Sequence, residues 1–281
     1  MQQRDPRDYQ ILFLSTFLIL GIGARDWTLR LDLILVVMVT CLLTQWIAIS
    51  IWSKAKETIL NPLVKVPNDS EKPDSSLAFS RNLTSLKSAM ITALGLSLLL
   101  RADDYKTMVL AGCFAILSKF VFQIQGKHFF NPANFGIVVA LLLTQDAWVS
   151  PGQWGEDWWY ALLFAGTGGI VLKRVGRWDT TAAFLGIYAL LEAMRTLWLG
   201  WTWDVFCHRL MSGSLLLFAL FMITDPRSIP NARMGRIIWA GCIAIVAFIL
   251  RDRFFVSTAV FWALFALSPL SLLLDTIWSA P

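Results

Sequence analysis

An aspartate stands where an apolar helix has to stop. Thr224-Asp225-Pro226 follows the uncharged run Leu215 to Ile223. Pro226 has no N–H and fixes its own φ, so the helix ends there. From Met211 to Thr224 it would be about 21 Å long, at about 1.5 Å per residue. A bilayer core is about 30 Å thick and takes about 20 apolar residues to cross. A carboxylate at the end of so short a helix is costly unless partnered, which makes Asp225 and Thr224 candidates for handling a cation. Asp103 follows Arg101 at the end of another short apolar run. Ser88 and Thr92 open that run and Ser212 opens the one that ends at Asp225, so these hydroxyls are candidates to line the same cavity. Asn131 and Asn134 flank Pro132 at the start of a third short run, which closes at Thr144. Asn131 suits an N-cap and Pro132 a first helical residue. Such a start, placed inside an apolar body, presents free N–H groups and a positive dipole end to a polar cavity. The same residues suit a capped helix at the surface equally well.

Other polar residues read more plainly. Lys119 is placed to snorkel to an interface. Glu192 and Arg195 are spaced i,i+3 and suit a pair on one helix face. Arg227 or Arg233 would neutralise Asp225 if it only ends a helix. His128 and His208 have no acid at metal-ligand spacing and read as interfacial. With two histidines and four scattered cysteines, no metal site is expected. Gly166-Thr167-Gly168-Gly169 lacks the Lys-Ser/Thr of a phosphate loop and reads as a close helix contact. No Ser-His-Asp, zincin or kinase pattern is present. No basic cluster alternates with aromatics, so a nucleic-acid partner is excluded.

The elements that must position these residues are membrane helices. The chain of 281 residues is 57% hydrophobic and 15% charged, where a soluble domain carries about 25% charge. Ten apolar segments recur, at 10–24, 31–52, 86–100, 107–123, 131–144, 158–173, 180–199, 209–223, 235–250 and 256–277. Arg4 and Arg7 precede the first, which reads as a span because Asp5 and Asp8 spoil a signal-peptide pattern. The polar stretch 53–85 reads as an exposed loop. With both termini inside, Lys and Arg divide 16 inner to 8 outer of the 24 present, the preferred orientation. Trp148, Trp154, Trp158 and Trp159 then form an outer aromatic belt. Leu110-Ala111-Gly112-Cys113-Phe114-Ala115-Ile116 matches Trp239-Ala240-Gly241-Cys242-Ile243-Ala244-Ile245. Each follows a short segment ending in acid and precedes a Phe-Phe pair. Five spans per copy would set the second copy upside down. The expected fold is therefore an all-α polytopic membrane protein, an inverted 5+5 repeat divided into 1–157 and 158–281.

Three strings carry a resemblance. They are Ser88-Ala89-Met90-Ile91-Thr92-Ala93-Leu94, then Phe130-Asn131-Pro132-Ala133, then Phe221-Met222-Ile223-Thr224-Asp225-Pro226 followed by Gly235-Arg236. In this order the chain resembles the RnfD family, the D-type membrane component of the Rnf electron-transport complex, and its relative, the B-type component of the sodium-translocating NADH:quinone oxidoreductase (Nqr). The resemblance implies ten helices arranged as in urea transporters, in a bacterial inner membrane. It implies a part in coupling electron flow to Na⁺ or H⁺ movement, with partner subunits carrying iron–sulfur and flavin centres. It also implies an FMN phosphoester-linked to the last threonine of a Ser-Gly-Ala-Thr motif, in the loop after the fifth span. That loop here, 145–157, has no threonine. Met211-Ser212-Gly213-Ser214 is the nearest string, but it ends in serine and lies elsewhere. No covalent flavin is expected; a non-covalent FMN or riboflavin stays open. The alternative is a stand-alone channel or transporter for a small solute or ion on the same scaffold.

Overall fold

The computed structural model describes residues 5–24, 30–60, 75–124, 126–152 and 158–278. Trp154 and the middle of the polar stretch lie outside the described residues, as does the side chain of Trp158. The helices are α1 (Pro6–Ala24), α2 (Leu31–Leu60), α3 (Ser75–Leu99), α4 (Tyr105–Val121), α5 (Pro132–Leu143), α6 (Trp158–Val175), α7 (Trp178–Trp198), α8 (Trp203–Leu210), α9 (Gly213–Leu217), α10 (Arg233–Arg253), α11 (Ala259–Leu267) and α12 (Leu270–Ile277). A π-helical turn, Phe218–Met222, continues α9. All ten apolar segments contain helix. By length and composition Leu31–Trp52 and Arg233–Arg253 are able to cross a membrane, and so is the pair α11–α12 if its 47° bend is counted as one span. Thr84–Leu99, Pro132–Leu143 and Gly213–Met222 are shorter apolar helices.

Three departures from expectation have local causes. The stretch 53–85 is not all loop, since α2 runs on to Leu60 and α3 begins at Ser75. Ser53-Lys54-Ala55-Lys56-Glu57 is made mostly of good helix formers, and polarity alone did not end the helix. The last segment breaks because Pro269 supplies no N–H. The carbonyl of Leu267 is left over at that break and accepts a hydrogen bond from Trp239 Nε1 at 2.8 Å. The short α8, with no buried residue, stands before the eighth segment.

Two antiparallel ribbons fasten the loops. β1 (Leu100–Arg101) pairs with β4 (Trp148–Val149), in register Leu100 to Val149 and Arg101 to Trp148. β2 (Gln123–Ile124) pairs with β3 (Lys127–His128) and turns at Gly126, whose φ of 77° suits glycine. This hairpin carries the chain from the end of α4 to Asn131.

Packing follows one pattern twice. α4 lies against α2 and α5, and α10 lies against α7 and α11. α1 packs on α3, and α6 on the π-turn. The two sets meet where α1 touches α6 and α5 touches α11. Phe17 of α1 stacks on Phe164 of α6 at 4.2 Å and meets Phe221 edge-on at 6.0 Å. Phe130, Phe135 and Phe265 join the hairpin, α5 and α11. Gly168 lets α6 close on Leu220, as the glycine string implied, whereas Gly166 and Gly169 face open space. Outer faces remain apolar: Ile19, Leu35 and Trp46 are each more than 60% exposed, as residues facing lipid would be.

The tightest helix contact predicts a substitution. A Cβ on Gly136 would stand 2.5 Å from the carbonyl oxygen of Ala111, a backbone atom of α4. Gly136→Ala should lower the thermal midpoint of the detergent-solubilised protein, at a cost of about 1–3 kcal/mol. Gly186→Ala, on an exposed face of α7 with nothing near its Cβ, should leave the midpoint level or raise it.

Candidate functional site

A helix that ends inside a protein leaves carbonyls without partners. At the π-turn each is satisfied. The carbonyl of Phe218 accepts from the N–H of Ile223 at 2.9 Å. That of Ala219 accepts from Thr181 Oγ1 of α7 at 2.6 Å. Leu220 accepts from Thr224 Oγ1 at 3.1 Å, and Phe221 from Gln10 Nε2 of α1 at 3.4 Å. Met222 accepts from Asn131 Nδ2 at 3.0 Å. Asn131 also caps α5, its Oδ1 accepting the N–H of Asn134 at 3.1 Å. One side chain thus joins the start of α5 to the end of the broken helix.

A cavity of about 440 Å³ opens beside this junction. Ser88, Thr92, Asn131, Thr224 and Asp225 all line it, along with His128, Arg7, Arg174 and Arg227. Asp225 sits in a turn in which its Oδ1 accepts the N–H of Arg227 at 3.1 Å. Its Oδ2 lies 3.4 Å from His128 Nε2, with the imidazole 6% and the carboxylate 24% exposed. His128 is therefore the partner of the acid, in place of Arg227 or Arg233, and is not interfacial. Sequence spacing hid the pair, because 97 residues separate them. Lys119 does not snorkel. It is buried, and its Nζ lies 3.3 Å from both the carbonyl and the hydroxyl oxygen of Ser88.

The other sequence candidates stand elsewhere. Asp103 is exposed at the far end of α3, where its N–H donates to Asp146 and its carbonyl accepts from Arg30. The repeat pattern made it a counterpart of Asp225, but the ribbon β1–β4 intervenes and ties it to the loop instead. Asp104 caps α4 by accepting the N–H of Lys106 at 3.0 Å. Ser212 donates to the carbonyl of Pro151 at 3.0 Å and meets Ser214 at 2.9 Å, outside the cavity. Asn134 is buried and donates to the carbonyl of Phe261 on α11 at 3.1 Å, so it links α5 to α11 without lining the cavity.

Two buried charge groups escaped the sequence reading. Arg236 of α10 clasps Asp179 of α7, with Nη2 to Oδ2 at 2.6 Å and Nε to the same oxygen at 3.1 Å. Only its place in the Gly235-Arg236 string drew notice to it. Glu192 pairs with Arg209 at 2.8 Å and Arg195 with Asp252 at 2.7 Å. This replaces the i,i+3 pair, because Arg209 and Asp252 arrive from other elements with better geometry. Among the described residues no group of three His, Cys, Asp or Glu is placed to hold a metal ion.

Residues 144–279 match the model of the NQR2, RnfD, RnfE family. Similar curated relatives each carry the name of the D-type component of an ion-translocating oxidoreductase complex. That of Actinobacillus pleuropneumoniae serotype 5b (strain L20) is 32% identical over 102 residues, 36% of this chain and 29% of the relative. That of Vibrio atlanticus (strain LGP32) is 34% identical over 116 residues, covering 40% and 32%. That of Vibrio vulnificus (strain YJ016) is 35% identical over 101 residues, covering 35% and 28%. The chain matches about a third of the length of these relatives. The matched region contains Thr224-Asp225-Pro226 and Gly235-Arg236. Together with helices apolar enough to cross a bilayer, it makes the chain an integral membrane protein.

Two outcomes test this geometry. Asn131→Ala removes both the cap and the donor to Met222, and should cost about 2–4 kcal/mol in thermal unfolding. Asn131→Asp keeps the cap acceptor but sets a second oxygen against the Met222 carbonyl, and should cost at least as much. Asp146 lies in a loop, where partial burial pushes its pKa up. The Thr107 hydroxyl and the N–H groups of Asp104 and Asp103 outweigh this and hold it below the usual range. That stabilisation is present above the unfolded value, about 4, and is lost as pH falls through the lower folded value. Asp146→Asn should therefore lower the midpoint at pH 7 and flatten its fall in acid.

Proposed function

From the match of residues 144–279 to the NQR2, RnfD, RnfE family, we propose that this chain is a membrane subunit of a redox-driven ion-translocating electron-transport complex. The observation that carries the reading is Asp225 facing His128 in a cavity at the end of a broken helix. An imidazole and a carboxylate in contact at the cavity edge are a donor–acceptor pair able to pass a proton between cavity and helix end. The balance of charge favours H⁺ over Na⁺. Arg7, Arg174 and Arg227 line the cavity against Asp5 and Asp225, and a net positive wall repels a metal cation. Thr224 and Asn131 hold the helix end in place, and Ser88 and Thr92 supply hydroxyls along the opposite wall. Asp103, Ser212 and Asn134 take no part in this relay.

The architecture proposed with it is ten membrane helices in two inverted copies, 1–157 and 158–281, with both termini cytoplasmic. Supporting this, α2, α4 and α5 pack as α7, α10 and α11 do, and the equivalent helices α1 and α6 touch, as do α5 and α11. Partner subunits would bring iron–sulfur and flavin centres. The residues of the loop 145–157 do not fit a phosphoester-linked flavin: there is no threonine, and the carbonyls of Pro151 and Gly152 are taken up by α9. FMN or riboflavin would have to be held without that bond. The missing threonine also favours a second reading, a channel or transporter for a small solute or ion that works without electron transfer.

The test uses membrane vesicles containing the native complex. Asp225→Asn should cut redox-driven proton uptake by about a hundredfold, the usual scale for a positioned proton-transfer group. Asp204→Asn, on the exposed α8, should leave it unchanged. Uptake at the wild-type rate in Asp225→Asn sinks the relay. Solute or ion flux through the purified chain alone, with no redox partner, favours the second reading.

A further inference from the structure

The other end of α3 holds a buried cation with no counter-charge among the described residues. A second cavity, of about 490 Å³, opens there, about 20 Å of helix from Ser88. Its walls include Leu33 and Ile34 of α2, Leu100 and Arg101 of β1, Met108 of α4 and Trp148 of β4. Arg101 is 6% exposed. Its Nη1 donates to the carbonyls of Ser97 at 2.9 Å and Leu100 at 3.0 Å. Its Nε and Nη2 have no hydrogen-bond partner among the described residues. A guanidinium keeps its charge throughout the range in which proteins fold.

No carboxylate among the described residues forms an ion pair with Arg101. Asp32 is engaged by Arg30 and by the Tyr105 hydroxyl, each at 2.6 Å. Asp146 accepts from Asp103, Asp104 and Thr107. Asp103 lines the cavity but makes no ion pair with Arg101. Burial alone acts on the guanidinium and lowers its pKa to about 10; a carboxylate in contact would push the other way.

A cation at a helix C-terminus has a role of its own. That role uses Nη1 only. The Nε–Nη2 edge is the one that grips a phosphate or carboxylate with two parallel bonds. Leaving it buried and unpaired costs more than the helix end returns. The ribbon β1–β4 holds Arg101 opposite Trp148, and the N–H of Ser150 donates to the carbonyl of Leu99 at 2.9 Å, so the cation is placed before any ligand arrives. Arg30 stands at the rim, 46% exposed and paired with Asp32. An apolar wall beside a cation, next to the half-exposed indole of Trp148, suits a ligand with a phosphate and an apolar body.

We propose that Arg101 and the cavity beside Trp148 form a phosphate-binding site, filled by the headgroup of an anionic phospholipid or by free phosphate. The test uses the full chain in neutral detergent, read by thermal unfolding. Sodium phosphate is titrated against sodium chloride of equal ionic strength, and phosphatidylglycerol against phosphatidylcholine in mixed micelles. One anionic probe should raise the wild-type midpoint by about 3–5 °C near saturation. A rise with phosphatidylglycerol alone assigns a lipid headgroup, and a rise with sodium phosphate assigns the free anion. Arg101→Gln should abolish the rise, and Arg101→Lys, which keeps charge without the two-pronged edge, should at least halve it. No rise with either probe over its control, or the same rise in Arg101→Gln, overturns the site. If Arg101→Gln does not fold, an undiminished rise in Arg101→Lys overturns it.

Discussion

A backbone carbonyl buried away from water must find a donor, and the middle of this protein is arranged to supply them. The π-turn Phe218–Met222 ends a helix among apolar side chains, and its carbonyls take N–H and O–H donors from α1, α5 and α7 as well as from the turn itself. Each donor ties another helix to the break. Gln10 anchors α1, Thr181 anchors α7, and Asn131 anchors α5 while capping it. The same need appears at Pro269, where Trp239 of α10 reaches the carbonyl that α11 leaves open. Broken helices are tolerated in an apolar body only where such partners line up, so their placement sets where polar space can exist.

The charges obey a related constraint. In a low-dielectric interior an ion needs a partner at close range. Asp179 has Arg236, Glu192 has Arg209, Asp252 has Arg195, and Asp225 has His128. In each case the pair joins two different elements. These contacts lock elements in register, and the His128–Asp225 pair does so at the edge of a cavity. A titratable pair bordering open volume differs in kind from a pair sealed between helices, because water and protons can reach it. Among the described residues neither Lys119 nor Arg101 has an acidic partner: Lys119 is held by the Ser88 oxygens, whereas the Nε and Nη2 of Arg101 meet no acceptor.

Much of this was legible in the residues. Asn131-Pro132 announced a capped helix start, and the cap forms as those residue types dictate. Thr224-Asp225-Pro226 announced a helix end. The hydroxyls of Ser88 and Thr92 come to the same cavity as Asp225, though more than a hundred residues apart. Like positions in a repeat do not have like surroundings: Asp103 corresponds to Asp225 by pattern but is exposed just past the buried ribbon strand Leu100–Arg101. Local helix geometry does not set the partners of Lys119, Glu192 and Arg195, which come from other elements: Ser88, Arg209 and Asp252.

Composition and apolar run length by themselves determined that this is a helical membrane chain and where its apolar helices lie, but not the polar extensions of α2 and α3 or the short α8. Those properties depend on apolar run length, proline and capping residues, all of which act within a few positions. Only the tertiary structure decided that His128 meets Asp225, that Asn131 bonds to Met222, and that Arg101 is buried with its Nε and Nη2 unpaired among the described residues. Such contacts join residues far apart in the chain. They depend on how helices cross and where a hairpin turns, and no local pattern of residues records that.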